Sequence, residues 1–149
     1  MPTACRFCGA PLTRTFVDLG TTPLANSYLL PTPEAIAAER RFPLHVMVCD
    51  QCLLVQVEEA VPADAVFAAD YAYLSSYSQS WLDHCESFAD AMIARIPLGP
   101  SSLVVEIASN DGYLLRFFRD RGIPVLGIEP AANAAEIARQ QGIPTEVMF

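Results

Sequence analysis

The spacing of apolar positions changes twice along the chain. In the first part, short apolar runs alternate with glycines and prolines, which is typical of strands joined by turns. Over residues 78–96 apolar side chains recur every three or four positions, which predicts one amphipathic helix with Ser78 or Ser80 as its N-cap. Beyond that helix, compact apolar runs alternate with helical spacing. The pattern predicts a small β-rich module, a helical connector and the start of an α/β domain, at residues 1–62, 63–99 and 100–149.

The first segment contains four candidate strands. Each is an apolar or alternating run closed by a glycine, a proline or a cysteine pair. They cover residues 15–19, 25–30, 41–48 and 53–57, and Pro62 ends the module.

The last segment alternates strand and helix. Strands are predicted at residues 103–107, 124–129 and 144–149, with helices at 112–121 and 132–141 between them. The first strand is a continuous apolar run, so we expect it to be buried on both faces. Strand–helix alternation with short turns predicts a parallel, doubly wound sheet.

Charge and composition narrow the class of partner. The chain has 17 acidic and 9 basic residues, a net charge of −8, which argues against binding nucleic acid or an anionic membrane surface. No apolar run approaches the ~18 residues of a membrane-spanning helix. The N-terminus lacks the charged and apolar regions of a secretory signal, so we expect a cytoplasmic protein with reduced thiols.

Four of the five cysteines form two Cys-x-x-Cys pairs. A two-residue spacer lets both sulfurs of a pair reach one ion, so Cys5, Cys8, Cys49 and Cys52 predict one structural Zn²⁺ site. Gly9 follows the first pair and is able to take a positive φ, which turns backbone N–H groups towards the sulfurs. A pair of disulfides and a redox dithiol are the alternatives.

The fifth cysteine, Cys85, lies on the apolar stripe of the predicted middle helix. A small core residue is therefore expected there. A nucleophile is the alternative, although no activating pattern surrounds Cys85.

A strand–loop–helix motif over residues 106–112 lies where doubly wound folds bind nucleotides. The loop is not Gly-x-Gly-x-x-Gly, and Asp111 within it would repel a pyrophosphate. A cofactor with a cationic centre avoids that repulsion, and S-adenosylmethionine fits because its sulfonium and ammonium are positive. Glu106 needs a partner at the end of a buried strand, and the cofactor's ammonium or a backbone N–H would provide one.

A second acidic residue ends the next predicted strand. Glu129 lies 23 residues after Glu106, near the ~20 expected for a carboxylate that binds ribose hydroxyls. A solvated carboxylate at a strand end is the alternative.

Taken together, these motifs resemble the N-terminal part of the sugar C-methyltransferase family. The resemblance rests on the two cysteine pairs and on residues 70–78, 106–112 and 127–133. It implies a zinc-binding domain followed by the first half of a Rossmann-like, S-adenosylmethionine-dependent methyltransferase sheet. It also implies that segment 71–78 covers the site. The implied cofactor-binding residues are Ser76, Tyr77, Glu106, Ala108, Ser109, Asn110, Asp111, Gly112, Glu129 and Pro130.

The resemblance also implies a reaction. A base removes the proton α to a ketone of a nucleotide-linked keto-deoxysugar, and the resulting carbanion takes the methyl group. The family's proton-transfer residues have no counterpart here, so we expect the catalytic residues beyond residue 149 and an inactive fragment of a longer enzyme. The alternative function is a non-catalytic zinc module that binds a partner protein.

Overall fold

The computed structural model describes most of the chain, at residues 4–26, 28–57, 61–67 and 71–149. It is a mixed α/β structure in two compact units, Met1–Val66 and Phe67–Phe149. The segment boundaries inferred from sequence, at residues 62 and 99, stay predictions. Among the described residues, none of the helices has both the length and the apolar character that crossing a bilayer requires.

The first unit is built on a three-stranded antiparallel sheet in the order β1-β2-β3. The pairing of β1 with β2 is irregular at two places, between Thr15 and Val17 and between Asp18 and Thr21. No residue of β1 is buried, so this strand is held mainly by its ladder. In chain order the elements are β1 (Arg14–Thr22), α1 (Pro33–Ala37), β2 (Phe42–Val48), β3 (Val55–Val57) and α2 (Ala63–Val66).

Two strand predictions in this unit need correction. No strand forms at 25–30 in the described residues, which exclude Ser27. The chain turns there and then enters α1, where the Thr32 hydroxyl accepts from the Ala35 N–H and Pro33 occupies the first turn. The strand predicted at 53–57 begins only at Val55, because the two leucines before it complete the turn of the second cysteine pair.

The second unit has a parallel sheet in the order β4-β5-β6. The predicted alternation of strand and helix is confirmed. The Ser78 hydroxyl accepts from the Trp81 N–H, so the predicted N-cap is confirmed too. The elements are α3 (Gln79–Arg95), β4 (Val104–Ile107), α4 (Leu115–Asp120), β5 (Val125–Ile128), α5 (Ala132–Gln140) and β6 (Thr145–Glu146).

One face of this sheet packs into an apolar core. Val104 and Val125 face each other across the β4–β5 ladder and join a cluster of buried side chains from the surrounding helices and loops. Besides Val125, its buried members are Ala89, Leu115, Phe118, Ile123, Ala138 and Ile143.

The expectation that the first strand of this sheet is buried on both faces is wrong for the described residues. Side chains alternate along a strand, and the residues between the packed ones point the other way. Val105 is 49% exposed and Ile107 is 81% exposed. Within the part of the chain that the structure describes, this apolar strand is therefore covered on one face only.

Candidate functional site

The first unit brings four sulfur atoms together. The Sγ atoms of Cys5, Cys8, Cys49 and Cys52 all lie within 4.8 Å of one another. The Cys5–Cys52 and Cys8–Cys49 Sγ separations are both 3.6 Å. A tetrahedral zinc site with Zn–S bonds of about 2.3 Å requires S–S edges of about 3.8 Å. A disulfide needs about 2.0 Å, and all four cysteines are free, so the arrangement fits one zinc ion.

The two cysteine pairs have matching backbone turns. The Cys5 carbonyl accepts from the Gly9 N–H at 2.9 Å, and the Cys49 carbonyl accepts from the Leu53 N–H at 2.9 Å. The residue after each pair is left-handed, with φ of 75° at Gly9 and 62° at Leu53. The sequence indicated this conformation at Gly9 only. Leu53 adopts it at a steric cost, because its Cβ crowds the backbone there.

Backbone N–H groups favour the thiolate at the first cysteine of each pair. The Cys8 N–H, helped by the Gln56 side chain, lowers the pKa of Cys5 to about 6. The Cys52 N–H, followed by that of Gln51, lowers the pKa of Cys49. The thiolate is the form that binds metal. The turns therefore favour the thiolate at Cys5 and Cys49, whereas the pKa of Cys8 and of Cys52 is raised, because burial and contacts among the four sulfurs outweigh their backbone N–H groups.

Gln56 of β3 supports this centre from outside the ligand set. Its Nε2 donates to Cys5 Sγ at 3.2 Å, and its Oε1 accepts from the Arg6 N–H at 3.0 Å. The side chain is buried. It links β3 to the first cysteine pair and fixes one sulfur. Sequence inspection missed Gln56; its only signal was a lone polar residue between two valines after the second pair.

In the second unit, the loop at residues 108–112, after β4, has the positive φ angles that glycine favours, although it contains only one glycine. Ala108, Asn110 and Gly112 have φ of 59°, 50° and 78°. Alternate residues of the loop are thus left-handed. Asparagine tolerates this region better than most residues, whereas alanine does so at some cost. At Gly112 a Cβ would lie 2.9 Å from Ile143 Cγ1, so no larger residue fits.

Glu129 joins the end of β5 to this loop. Its Oε2 accepts from the Asn110 N–H at 2.8 Å, and its Oε1 accepts from the Ala131 N–H at 2.7 Å. Only 4% of the residue is exposed. Each carboxylate oxygen retains a further lone pair that is able to accept from a hydroxyl. The ribose role of Glu129 stays a prediction, and the structure adds a second role, which is to hold the loop.

Several buried polar atoms at this end of the sheet have no partner in the described part of the chain. These atoms are Glu106 Oε2, Ser109 Oγ, Asp111 Oδ1 and Asn133 Oδ1. Ser109 Oγ lies against Gly127, where a Cβ would be 2.4 Å away, so its side chain points into the fold. Any contact of Ser109 with a cofactor would therefore use its backbone.

Glu106 lies in an acidic, partly dry environment. Burial raises its pKa to about 7, a hydrogen bond with Tyr113 opposes the rise, and the charges of Asp111 and Glu129 add to it. Three carboxyl groups thus gather within one loop region. A positive ligand group would relieve their repulsion.

A strap of chain, residues 71–77, lies against the loop. Ser75 and Ser76 donate their backbone N–H groups to Asn110 Oδ1 at 2.8 Å and to Asp111 Oδ2 at 3.3 Å. Asp70, which begins the stretch that carries the resemblance, lies outside the described residues. Of the two strap residues assigned from the resemblance, Ser76 is half-buried and Tyr77 is exposed. The structure therefore brings the strap and the loop together.

A pocket of about 220 Å³ adjoins the loop within this unit. Trp81 stacks on His84 with ring centroids 5.2 Å apart, and Tyr113 lies 6.1 Å from the Trp81 ring. Cys85 forms part of the lining and is otherwise buried, as predicted for a core residue. Burial raises the pKa of its thiol, which disfavours a nucleophile.

The loop fits S-adenosylmethionine in charge and in hydrogen-bonding capacity. Glu106 and Asp111 offer buried acceptor oxygens without partners, and the cofactor carries an ammonium, a sulfonium and hydroxyl donors. Glu106, Asp111 and Glu129 would face the positive groups and the hydroxyls. Ala108, Ser109, Gly112 and Pro130 offer only backbone groups or apolar contact there.

Two comparisons with known proteins agree with these features. Residues 5–67 match the family model described as "Putative zinc binding domain". Over 141 residues, 95% of the chain, the sequence is 37% identical to C-methyltransferase NovU of Streptomyces niveus. The chain spans about a third, 33%, of the length of that relative. The resemblance to the N-terminal part of a C-methyltransferase is confirmed, and zinc binding is supported by both the matched family and the four-cysteine cluster.

Proposed function

We propose that this chain, similar over nearly its whole length to the N-terminal part of a C-methyltransferase, is the zinc-binding and cofactor-binding portion of such an enzyme. Its cofactor is S-adenosylmethionine, and the β4-β5-β6 sheet is the first half of a Rossmann-like domain. The observation that supports the proposal most directly is that two buried acidic oxygens, Glu106 Oε2 and Asp111 Oδ1, find no hydrogen-bond partner among the described residues.

The charges of the loop distinguish this cofactor from a dinucleotide. A pyrophosphate would meet the carboxyl groups of Glu106, Asp111 and Glu129, which already repel one another. A sulfonium and an ammonium are attracted by the same groups. In this proposal Glu129 also accepts from the ribose hydroxyls, and the aromatic strap excludes water from the methyl group.

The proposed substrate is a nucleotide-linked keto-deoxysugar. A carbon next to its ketone becomes nucleophilic when a base removes the proton, and it then attacks the methyl group in line. The chain's own part is to hold the cofactor's positive end and to orient the methyl group. We assign no proton-transfer residue within the described residues. The partners are small molecules rather than nucleic acid or membrane.

Calorimetric titration tests the cofactor assignment on the protein encoded by the complete reading frame that contains this sequence. We expect S-adenosylmethionine to bind one to one and S-adenosylhomocysteine, which lacks the sulfonium charge, to bind less tightly. Glu129→Ala is expected to weaken binding of the cofactor about tenfold or more, because the two proposed hydrogen bonds from the ribose hydroxyls to the carboxylate are lost. Glu136→Ala, an exposed glutamate of α5, is the matched control and should leave the affinity unchanged.

The same titration separates the alternative function. A folded protein that contains one zinc per chain but binds neither cofactor would contradict the proposal and favour a zinc-dependent interaction module. Unchanged affinity in Glu129→Ala would remove only the role of Glu129.

A further inference from the structure

Side chains bind the backbone of the strap, residues 71–77. In a sheet, the backbone of a neighbouring strand would make these hydrogen bonds. The Tyr71 carbonyl accepts from Asn133 Nδ2 at 2.8 Å, and the Tyr73 carbonyl accepts from Asn110 Nδ2 at 3.2 Å. The Ser75 N–H donates to Asn110 Oδ1 at 2.8 Å. Tyr71 and Tyr73 are alternate residues, and a short 3-10 helix begins at Ser75 (Ser75–Tyr77). The first two N–H groups of that helix have no partner within it and donate to the loop instead.

The contacts at position 110 require an asparagine. Its carboxamide combines a donor group, Nδ2, with an acceptor atom, Oδ1, and the strap backbone uses both. A carboxylate has no donor for the Tyr73 carbonyl, and glycine has neither group. Asn110 also sits at φ 50°, a region in which asparagine is enriched among residues with side chains. One residue thus meets the demands of the loop and of the strap together.

The two asparagines come from the ends of different strands. Asn110 lies in the loop after β4, and its own N–H is fixed by Glu129 at the end of β5. Asn133 lies in the first turn of α5, just after β5. The strap is therefore anchored from both strand ends, and its position is tied to that of Glu129.

We propose that Asn110 and Asn133 are positioning residues whose side-chain amides set the strap over the loop at residues 106–112. They would act through Ser76 and Tyr77, which follow the anchored stretch directly. Tyr77 is 78% exposed, so its ring is accessible to a bound molecule. This inference rests on the proposed function, because the strap's position matters to a reaction only if the cofactor binds beneath it.

The test removes the side-chain amides and keeps residues that are able to adopt the positive φ required at position 110. Asn110→Gly keeps a residue that readily takes positive φ but removes both strap contacts. Asn110→Asp keeps the acceptor for Ser75 and removes the donor to Tyr73. Asn133→Ala removes the contact with Tyr71. Asn26→Gly is the matched control, because Asn26 has φ 59° in the first unit.

Two measurements are made on each variant of the complete protein. Hydrogen exchange of the Ser75 amide should become about tenfold faster in Asn110→Gly, stay near the wild-type rate in Asn110→Asp and be unaffected in Asn26→Gly. The Kd for S-adenosylmethionine should rise about tenfold in Asn110→Gly and in Asn133→Ala while the Tm of the second unit changes little.

The outcomes separate this inference from the proposed function. Unchanged Ser75 exchange, or faster exchange with an unchanged Kd, would overturn the positioning role in a protein that still binds the cofactor. A wild-type protein that binds no S-adenosylmethionine would remove the proposed function, and the inference with it. A Kd that rises only in proportion to a lost Tm would show a merely structural role and also overturn the proposal.

Discussion

The two units of this chain are stabilised by different means. Among the described residues of the first unit, the buried cluster consists of Cys5, Leu12, Met47 and Cys49, two of which are candidate zinc ligands. The second unit encloses a core of seven buried side chains from helices, strands and loops. A small sheet without a packed core needs a metal, whereas a sheet with helices across one face is stabilised by burial of apolar surface.

Both units leave large apolar side chains exposed, such as Phe7 and Phe16 in the first and Val105 and Ile107 in the second. They differ in what they enclose, because the buried cluster of the first unit is the smaller one. Little apolar surface there is removed from water, so cross-linking by an ion has to compensate for the entropy of ordering the chain. The predictions that follow are ordered by expected size, and each tests or refines this contrast.

Zinc removal gives the largest effect. A chelator, or Cys49→Ser, should unfold the first unit and leave the second folded, because apparent zinc-binding energies in small domains reach about 10–16 kcal/mol. The check is loss of amide NMR signals from β1, β2 and β3 with retention of those from β4 and β5. Metal analysis should give one zinc per wild-type chain.

Cys85→Ser is the control for that experiment. It changes a buried cysteine of the second unit, so zinc content should stay at one per chain. Simultaneous loss of both units on chelation would contradict the separation of their stabilities.

Within the second unit, Gly112→Ala should be strongly destabilising. The new Cβ would meet Ile143 Cγ1 at 2.9 Å at a position with φ 78°. Overpacking and left-handed strain together predict a loss of about 2–4 kcal/mol in the free energy of unfolding. Gly122→Ala shares the positive φ, 76°, but meets no atom within 4 Å, so it should cost only about 1 kcal/mol. Equal costs in urea unfolding would show that packing is not decisive there.

The two units should respond oppositely to pH. The raised pKa of Glu106, about 7 against 4.5, means that the folded state binds more protons between these values. Its contribution to the stability of the second unit is therefore present at low pH and lost as pH rises towards 7. Zinc binding requires thiolates, so the first unit should gain stability as pH rises.

Glu106→Gln is the variant that checks this opposition. It should flatten the pH dependence of the second unit's Tm between pH 4.5 and 7 and leave that of the first unit unchanged. Glu136→Gln, on the exposed surface of α5, should change neither. An unaltered pH profile in Glu106→Gln would remove the buried carboxyl as its source.

Gln56→Leu should weaken zinc binding about tenfold, because Cys5 Sγ loses the Nε2 donor that orients it. Gln51→Leu is the control, since Gln51 approaches Cys49 Sγ through its backbone N–H alone. Competition with a chromogenic chelator measures both. Equal affinities would mean that the turns alone fix the sulfurs.

The smallest expected effect is at the second cysteine pair. Leu53→Gly relieves left-handed strain but increases the entropy of the unfolded chain, so it should stabilise the first unit by no more than about 1 kcal/mol. Gly9→Ala, in the equivalent position of the first pair, should destabilise it by about 1 kcal/mol. Thermal unfolding of the zinc-loaded protein checks both signs.

The sequence predicted those features that depend on short-range spacing. The zinc ligands follow from a two-residue spacer, and the alternation of strand and helix after residue 100 follows from apolar periodicity. The N-cap at Ser78 was predictable because its hydrogen bond lies within the first turn of the helix. Other predictions failed. No strand forms at 25–30 among the described residues, and Thr32 and Pro33 begin a helix soon after. β4 is covered on one face only among the described residues, because the apolar pattern of a strand does not show which other segments pack against it.

Residue types and their order along the chain therefore determined the metal site, the order of elements and the acidic character of the loop. Tertiary structure decided what each polar side chain does. Glu129 and Asn110 lie 19 residues apart and bond through a backbone N–H, whereas Asn133 reaches a carbonyl 62 residues away. Glycines occupy some left-handed positions, such as Gly9 and Gly112, but Ala108 and Leu53 are held in the same conformation without the glycine that would have indicated it. Contacts of this kind form only when separate segments have folded against one another, because no local preference of the chain favours them.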